Sequence, residues 1–242
     1  MNQLNENLND AFETYFPGQG KLGEFGLDFL DFFLKRGFRL RRSMFGGRIV
    51  TNERIVEYPR ILQWLKEGGK VLDIGCVSSR LPIQLASLGY EVHGLDTRPY
   101  GFTHPNFRFH QSDLFKWKPE GKYDVILLVS VIEHFGLGGY GDLVLPDADK
   151  QAIDTVAGWL KDDGQLLVSL PFGTPGVTPK HRIYDRQRLN HVFGRFHRHR
   201  EAYFYRKDGA WVPGNPEDVE KIPSPDLPVN GVVILDLRPS RI

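Results

Sequence analysis

The sequence predicts an α/β fold: a doubly wound, mostly parallel sheet with helices on both faces and a helical extension before it. Two observations carry that prediction. Over residues 70–171, short apolar runs alternate with helical patterns, which is the signature of βαβ units and a parallel sheet. Over residues 172–242, two strand-like runs are separated by a proline-rich stretch, which predicts an antiparallel edge on that sheet.

Residues 1–69 read as helical, without strand-like alternation. Phe25, Phe29, Phe32 and Phe33 recur at helical spacing and predict one buried stripe. Asn52 is placed to cap a helix running through Trp64, and Gly68-Gly69 ends it. The expected division is a helical extension over 1–50 and a main domain over 51–242. The expected strands of the central part are Lys70–Ile74, Glu91–Leu95, Asn106–His110, Asp124–Ser130 and Gln165–Leu170, with helices near Arg80–Leu88 and Asp147–Leu160. Right-handed crossovers follow from the parallel pairing. Beyond them, Arg186–Phe193 reads as a short helix, and Arg198–Arg206 and Gly231–Leu237 as strands. Five prolines between Pro213 and Pro228 predict a long loop there.

Composition narrows the function. The 242 residues are 40% hydrophobic and 25% charged, which is ordinary for a soluble globular protein. The net charge of +1 gives no global field for nucleic acid or a membrane surface. One cysteine, Cys76, excludes an intrachain disulfide. MNQLNENLND carries no basic n-region and no apolar h-region, so a secretory leader is not expected and a cytoplasmic location is. The apolar stretch Phe25 to Leu34 contains Asp28 and Asp31 and is too short to span a bilayer.

A ligand site is written at the strand ends. The first strand runs into Asp73-Ile74-Gly75-Cys76, and a glycine there lets backbone and ligand approach closely. A dinucleotide site would show G-x-G-x-x-G; Cys76-Val77-Ser78-Ser79 follows instead, which suits a ligand without a pyrophosphate. No phosphate-binding G-x-x-x-x-G-K-[ST] loop is present. The second strand ends at Asp96, 23 residues after Asp73, where a carboxylate accepts from two ribose hydroxyls. Asp113, after the third strand, is placed to accept from an exocyclic adenine amine. The fourth strand ends at Ser130-Val131-Ile132-Glu133-His134.

LDIGC, GLD, SDLF and YDVILLVSVIEH, in that order and spacing, resemble the motifs of class I S-adenosylmethionine-dependent methyltransferases over about residues 55–242. The resemblance implies a seven-stranded sheet of order 3-2-1-4-5-7-6 with strand 7 antiparallel. It implies S-adenosyl-L-methionine as cofactor, held around Asp73, Gly75, Cys76, Ser79, Asp96, Thr97, Asp113, Leu114 and Ser130. Glu133–Asp142 with His181-Arg182-Ile183-Tyr184-Asp185 resembles small bacterial members associated with polysaccharide or natural-product biosynthesis. That points to a hydroxyl on a small-molecule or glycan acceptor.

An oxygen acceptor benefits from a base, and a histidine near neutral pKa fits that task. His134, just past the fourth strand with Glu133 before it, is the first candidate and His181 the second. Against this stand two blander readings: Glu133-His134 shaping the pocket wall, and His181 lying on the surface between Lys180 and Arg182. Tyr140 and Asp142, in a loop with glycines at 136, 138, 139 and 141, read either as an acceptor lid or as a flexible connection. Glu133, His134, Asp142 and His181 lack the spacing of a dedicated metal site, so no metal is expected. Cys76, Trp64 and Trp159 read as packing residues. The basic stretch Lys35–Arg42 reads first as a solvated helix end, with an anionic-acceptor patch and a membrane contact behind it.

Two other classes compete. A nucleic-acid amino-methyltransferase would carry Asn/Asp-Pro-Pro-aromatic after the fourth strand, where this chain has Ser130-Val131-Ile132-Glu133, so no nucleic-acid partner is expected. A degenerate fold serving as a binding module would not need Gly75, Asp96 and Asp113 intact. The sequence leaves room for a homodimer.

Overall fold

The computed structural model describes residues 52–138, 144–179, 181–223 and 229–240. The expected 1–50 extension, its phenylalanine stripe, the basic stretch Lys35–Arg42, Tyr140 and Asp142 lie outside the described residues.

Helix α1 (Arg54–Trp64) precedes strand β1 (Lys70–Ile74). Asn52 accepts a hydrogen bond from the Arg54 backbone N–H, as a capping residue does. After β1 come α2 (Leu81–Ser87), β2 (Glu91–Asp96), β3 (Phe107–Gln111) and β4 (Tyr123–Val129). Then follow α3 (Ala148–Ala157), β5 (Leu160–Pro171), the two-residue strands β6 (Gly176–Val177) and β7 (Arg182–Ile183), and α4 (Arg186–Phe193). The chain closes with β8 (Phe196–Lys207), β9 (Ala210–Gly214), the short α5 (Pro216–Val219) and β10 (Gly231–Pro239).

The main sheet has eight strands in the order β3-β2-β1-β4-β5-β10-β8-β9. β3 to β5 pair in parallel, and β10 runs antiparallel to both β5 and β8. With β8 and β10 as the sixth and seventh strands, this is the 3-2-1-4-5-7-6 order expected, plus one strand. The addition is β9, which pairs antiparallel with β8 at the edge and takes up the start of the stretch expected to be a loop. Pro213 fits there because an edge strand has N–H groups without ladder partners, so a missing one costs little.

Strand residues alternate between two cores. Leu72, Ile126, Leu166 and Leu235 point to the face covered by α3 and α4. Val71, Val125, Leu167 and Ile234 point to the face covered by α1 and α2. β4 is buried along nearly its whole length, as a central parallel strand covered on both sides must be. α3 contributes Ala148, Ala152, Ile153 and Val156, one helical stripe. Trp64 belongs to the second core, and Trp159 meets Trp117 edge-on at 5.3 Å between centroids.

Because β1 to β5 are parallel, their carboxyl ends lie along one edge of the sheet. That edge carries every strand-end residue singled out above.

Candidate functional site

The site is built first by the turn after β1. Gly75 has φ +73° and donates its N–H to the Leu95 carbonyl at 2.8 Å, tying the turn to β2. A side chain there would adopt a left-handed conformation, and its Cβ would lie 2.6 Å from Val131. The glycine is thus required by the neighbouring β4 turn as well as by any ligand. Cys76 is 1% exposed, and burial pushes its thiol well up, so it is a packing residue and not a nucleophile. Ser79 receives the Tyr58 hydroxyl at 2.9 Å and the Leu81 N–H at 2.9 Å, while its carbonyl receives the Tyr100 hydroxyl.

Asp96 sits at the end of β2. One carboxylate oxygen accepts the Val77 N–H at 3.0 Å and the other the Arg98 N–H at 3.0 Å. These bonds fix the carboxylate at the mouth of the β1–β2 turn. The Asp96 carbonyl accepts from Ser112, and the Thr97 carbonyl from the Gln111 amide, so the ends of β2 and β3 are fastened together. Asp113 uses one oxygen to accept the Phe115 N–H, and Leu114 is buried beside it in the core.

The end of β4 meets α1. Ser130 has φ +50°, unusual for a residue with a side chain, and is held there on both sides. Its N–H donates to the Ser169 hydroxyl on β5 at 3.1 Å, and its hydroxyl donates to Glu57 at 2.7 Å. Arg54 donates to the other Glu57 oxygen and to the Val129 carbonyl, both at 2.9 Å. Glu57 is fully buried, and burial raises its pKa against the opposing pull of Arg54 and Ser130. Burial also pushes Asp73 up to about 7 and Glu133 up to about 8. Asp73 and Glu133 are each 2% exposed. Asp73 Oδ2 and Glu133 Oε2 are buried without a hydrogen-bond partner.

His134 follows Glu133, with its Nε2 3.7 Å from Glu133 Oε1 and its side chain 30% exposed. His181 is not the surface residue that its cationic neighbours suggested: it is 2% exposed, with its N–H donated to Thr178. Its neighbour Arg182 is buried as well and donates to the Phe135 and Pro146 carbonyls, each at 3.4 Å. This packs β7 against the turn that carries His134. Behind β7, the fully buried Asp149 accepts from the Tyr184 hydroxyl at 2.8 Å and pairs with Arg182 and Arg188. Among the described residues, no group of three or more His, Cys, Asp or Glu side chains is placed to hold a metal ion, and no helix is long and apolar enough to cross a membrane.

A family profile described as "Methyltransferase domain" matches residues 50–209. The chain belongs to this methyltransferase family. Solved structures share the fold of class I S-adenosylmethionine-dependent members. One is the 1,6-didemethyltoxoflavin N1-methyltransferase of Burkholderia thailandensis, with its substrate and S-adenosylhomocysteine bound. It is 13% identical, with 94% of each chain covered and a TM-score of 0.53. A Methanosarcina mazei S-adenosylmethionine-dependent methyltransferase is 16% identical, covering 76% of this chain and 99% of its own, at 0.52. The N-methyltransferase NodS of Bradyrhizobium japonicum, with S-adenosylhomocysteine, is 12% identical, covering 78% and 88%, at 0.52. No curated protein matches the chain at a significant level.

The methyltransferase's own residues fit its cofactor. A buried carboxylate oxygen without a partner at the end of β1 is satisfied by a proton or by a cationic group, and S-adenosylmethionine carries two cationic groups. The fixed carboxylate of Asp96 suits ribose hydroxyls. Sequence reasoning missed the α1 contribution to this site: Arg54, Glu57 and Tyr58. The spacing of Arg54 and Glu57 was visible, but an acid and a base three apart on a helix ordinarily mark a solvated face. Ser169 and the Asp149 network were missed too, and nothing local distinguishes them.

Proposed function

We propose that this methyltransferase transfers a methyl group to a hydroxyl of a small-molecule or carbohydrate-like acceptor, with His134 as the base. S-adenosylmethionine, when bound, supplies an electrophilic methyl group on its sulfonium. Asp96 accepts the ribose hydroxyls, and Asp113 and Leu114 flank the adenine. Gly75, Cys76, Ser79 and Thr97 give the pocket its backbone wall, and Asp73 and Ser130 face the amino-acid end. The chain holds the acceptor oxygen against the methyl carbon, and positioning of this kind supplies up to roughly 7–11 kcal/mol in ideal cases.

The observation that carries the base assignment is a partly exposed imidazole with a buried carboxylate 3.7 Å from its Nε2, at the end of the central strand. His134 takes the hydroxyl proton on the ring nitrogen turned away from Glu133, as the acceptor oxygen bonds to the methyl carbon and the methyl–sulfur bond breaks to leave a neutral thioether. His134 becomes an imidazolium, which Glu133 stabilises when ionised. His181 is buried, with its ring Nδ1 3.4 Å from the Thr178 hydroxyl, and in this reading it supports the wall of the acceptor side instead of taking the proton.

The test is a screen of sugars and glycosides for methyl transfer, followed by His134→Ala. A lost base lowers kcat by roughly 10²-fold or more, and S-adenosylhomocysteine affinity is expected to stay as it was. A variant with normal kcat but weakened cofactor binding would reduce His134 to a pocket wall.

A further inference from the structure

The buried charges at the ends of β1 and β4 do not balance. Three carboxylates, Glu57, Asp73 and Glu133, lie in the interior, and Arg54 acts electrostatically on all of them. Arg54 is already committed to Glu57 at 2.9 Å and to the Val129 carbonyl. The remaining two each present one buried oxygen with no partner, Asp73 Oδ2 and Glu133 Oε2. An ionised carboxylate is not tolerated in that state, so it either keeps a proton or receives a cation.

Two cationic groups enter such a pocket with S-adenosylmethionine, the α-ammonium and the sulfonium. Only the ammonium remains in S-adenosylhomocysteine, because the product sulfur is a neutral thioether. One carboxylate, Asp73, suffices for the group common to both. The second has a counterpart only while the sulfonium is present.

Resting on the cofactor reading above, we propose that Glu133 carries a proton in the free protein and loses it to solvent when the sulfonium cofactor binds, so that the pocket prefers the charged donor to its neutral product. The cycle balances. One proton leaves Glu133 on donor binding; methyl transfer removes the sulfonium charge and frees one proton from the acceptor hydroxyl. That proton passes through His134, 3.7 Å from Glu133, and restores the neutral acid. Among the described residues, the groups facing Glu133 are Arg54 and Glu57 from α1, Glu53 just before it, His134 from its own turn and Tyr184 beyond β7; Asp96 faces Asp73 from β2. Tyr58, Tyr100 and Cys76 also act on Asp73, and burial keeps all three protonated. Among these described residues Arg54 is the permanent cation, and His134 is charged only while it carries a second proton.

The experiment is calorimetric titration of the full chain with S-adenosylmethionine and, separately, S-adenosylhomocysteine, in phosphate and in Tris between pH 6 and 8.5. The difference between buffers counts protons. The parent protein is expected to release more protons with the donor than with the product, by up to one. Its donor-over-product preference then rises by up to about tenfold per pH unit below the Glu133 titration. Glu133→Gln mimics the protonated acid and is expected to fold. It should remove most of the proton difference and lower the donor-over-product affinity ratio by roughly tenfold, the factor for losing one close charge pair. The ligand's own ammonium titrates alike in parent and variant, so their difference belongs to Glu133. Equal proton counts for both ligands, or a difference that survives Glu133→Gln, would overturn the proposal while leaving the cofactor reading intact. Failure of both ligands to bind would overturn the cofactor reading and the proposal with it.

Discussion

His93 on β2 makes a sharp prediction about acid sensitivity in the arm of the sheet that presents Asp96 and Asp113. Its Nδ1 lies 3.0 Å from His110 Nε2 on β3 and 3.0 Å from the Tyr123 hydroxyl on β4. Nδ1 offers a single lone pair or a single proton, so it serves one of these neighbours at a time, while Nε2, 3.4 Å from Glu91, makes no hydrogen bond. Charging His93 would add a second proton to this buried ring, beside Lys70 and His110. Burial, then Lys70 and His110, depress its pKa from 6.5 to about 4. For a histidine with a lowered folded pKa, the stabilising contribution is complete above 6.5 and is lost as pH falls from 6.5 towards 4. The full shift corresponds to about 3 kcal/mol, and screening of the exposed Glu91 and Arg108 leaves about 2–3 kcal/mol.

The perturbation is His93→Leu, which keeps the volume and removes the acceptor. At pH 7.5 it should cost about 1–3 kcal/mol, because the buried Tyr123 hydroxyl and the His110 ring lose the nitrogen they share. Urea unfolding of parent and variant at pH 7.5, 6 and 4.5 measures the gap between them. The gap should shrink by about 2–3 kcal/mol across that range and vanish or reverse at the acid end. Taking the difference matters, since the buried carboxylates titrate in the same window with the opposite sign. A gap that stays constant or widens would refute the reasoning.

Glu133, raised to about 8, contributes stability that is complete below the ordinary glutamate pKa and lost as pH rises through 8. Glu133→Gln should therefore gain about 2–4 kcal/mol on the parent between pH 5 and pH 8 in the absence of ligand, measured by urea unfolding; a constant difference would contradict it. Gly75→Val should lower stability as well as cofactor binding, since φ is +73° and the new Cβ would meet Val131 at 2.6 Å. A loss of about 1–3 kcal/mol is expected from the strain. A variant that melts like the parent yet binds no cofactor would show the glycine to serve the ligand alone.

The parallel half of the sheet was legible because short apolar runs recur through it, and the first two are closed by a glycine or an acid, Lys70–Ile74 by Gly75 and Glu91–Asp96 by Asp96 itself. β9 was not, because Pro213 breaks the strand pattern, and only its place at the edge makes proline acceptable. The strand-end acids Asp73 and Asp96 could be read because their spacing reports topology. Arg54 and Glu57 could not, since their burial depends on contact with Val129 and Ser130, 75 and 73 residues away. The surface alternative for His181 failed for a related reason. Its cationic neighbour Arg182 is itself buried against Asp149, and nothing near it in sequence announces that partner.

The proposed cofactor site lies across the ends of β1 and β2, with the ribose on Asp96. Calorimetric titration of S-adenosylhomocysteine into the parent protein and into Asp96→Ala tests this most directly. The parent should bind at one site, and the variant should lose about 1.5–3 kcal/mol, the worth of hydrogen bonds to a charged acceptor. That loss appears as a Kd raised roughly 10- to 150-fold. An Asp96→Ala protein that remains folded and binds with the parent's affinity would contradict the account.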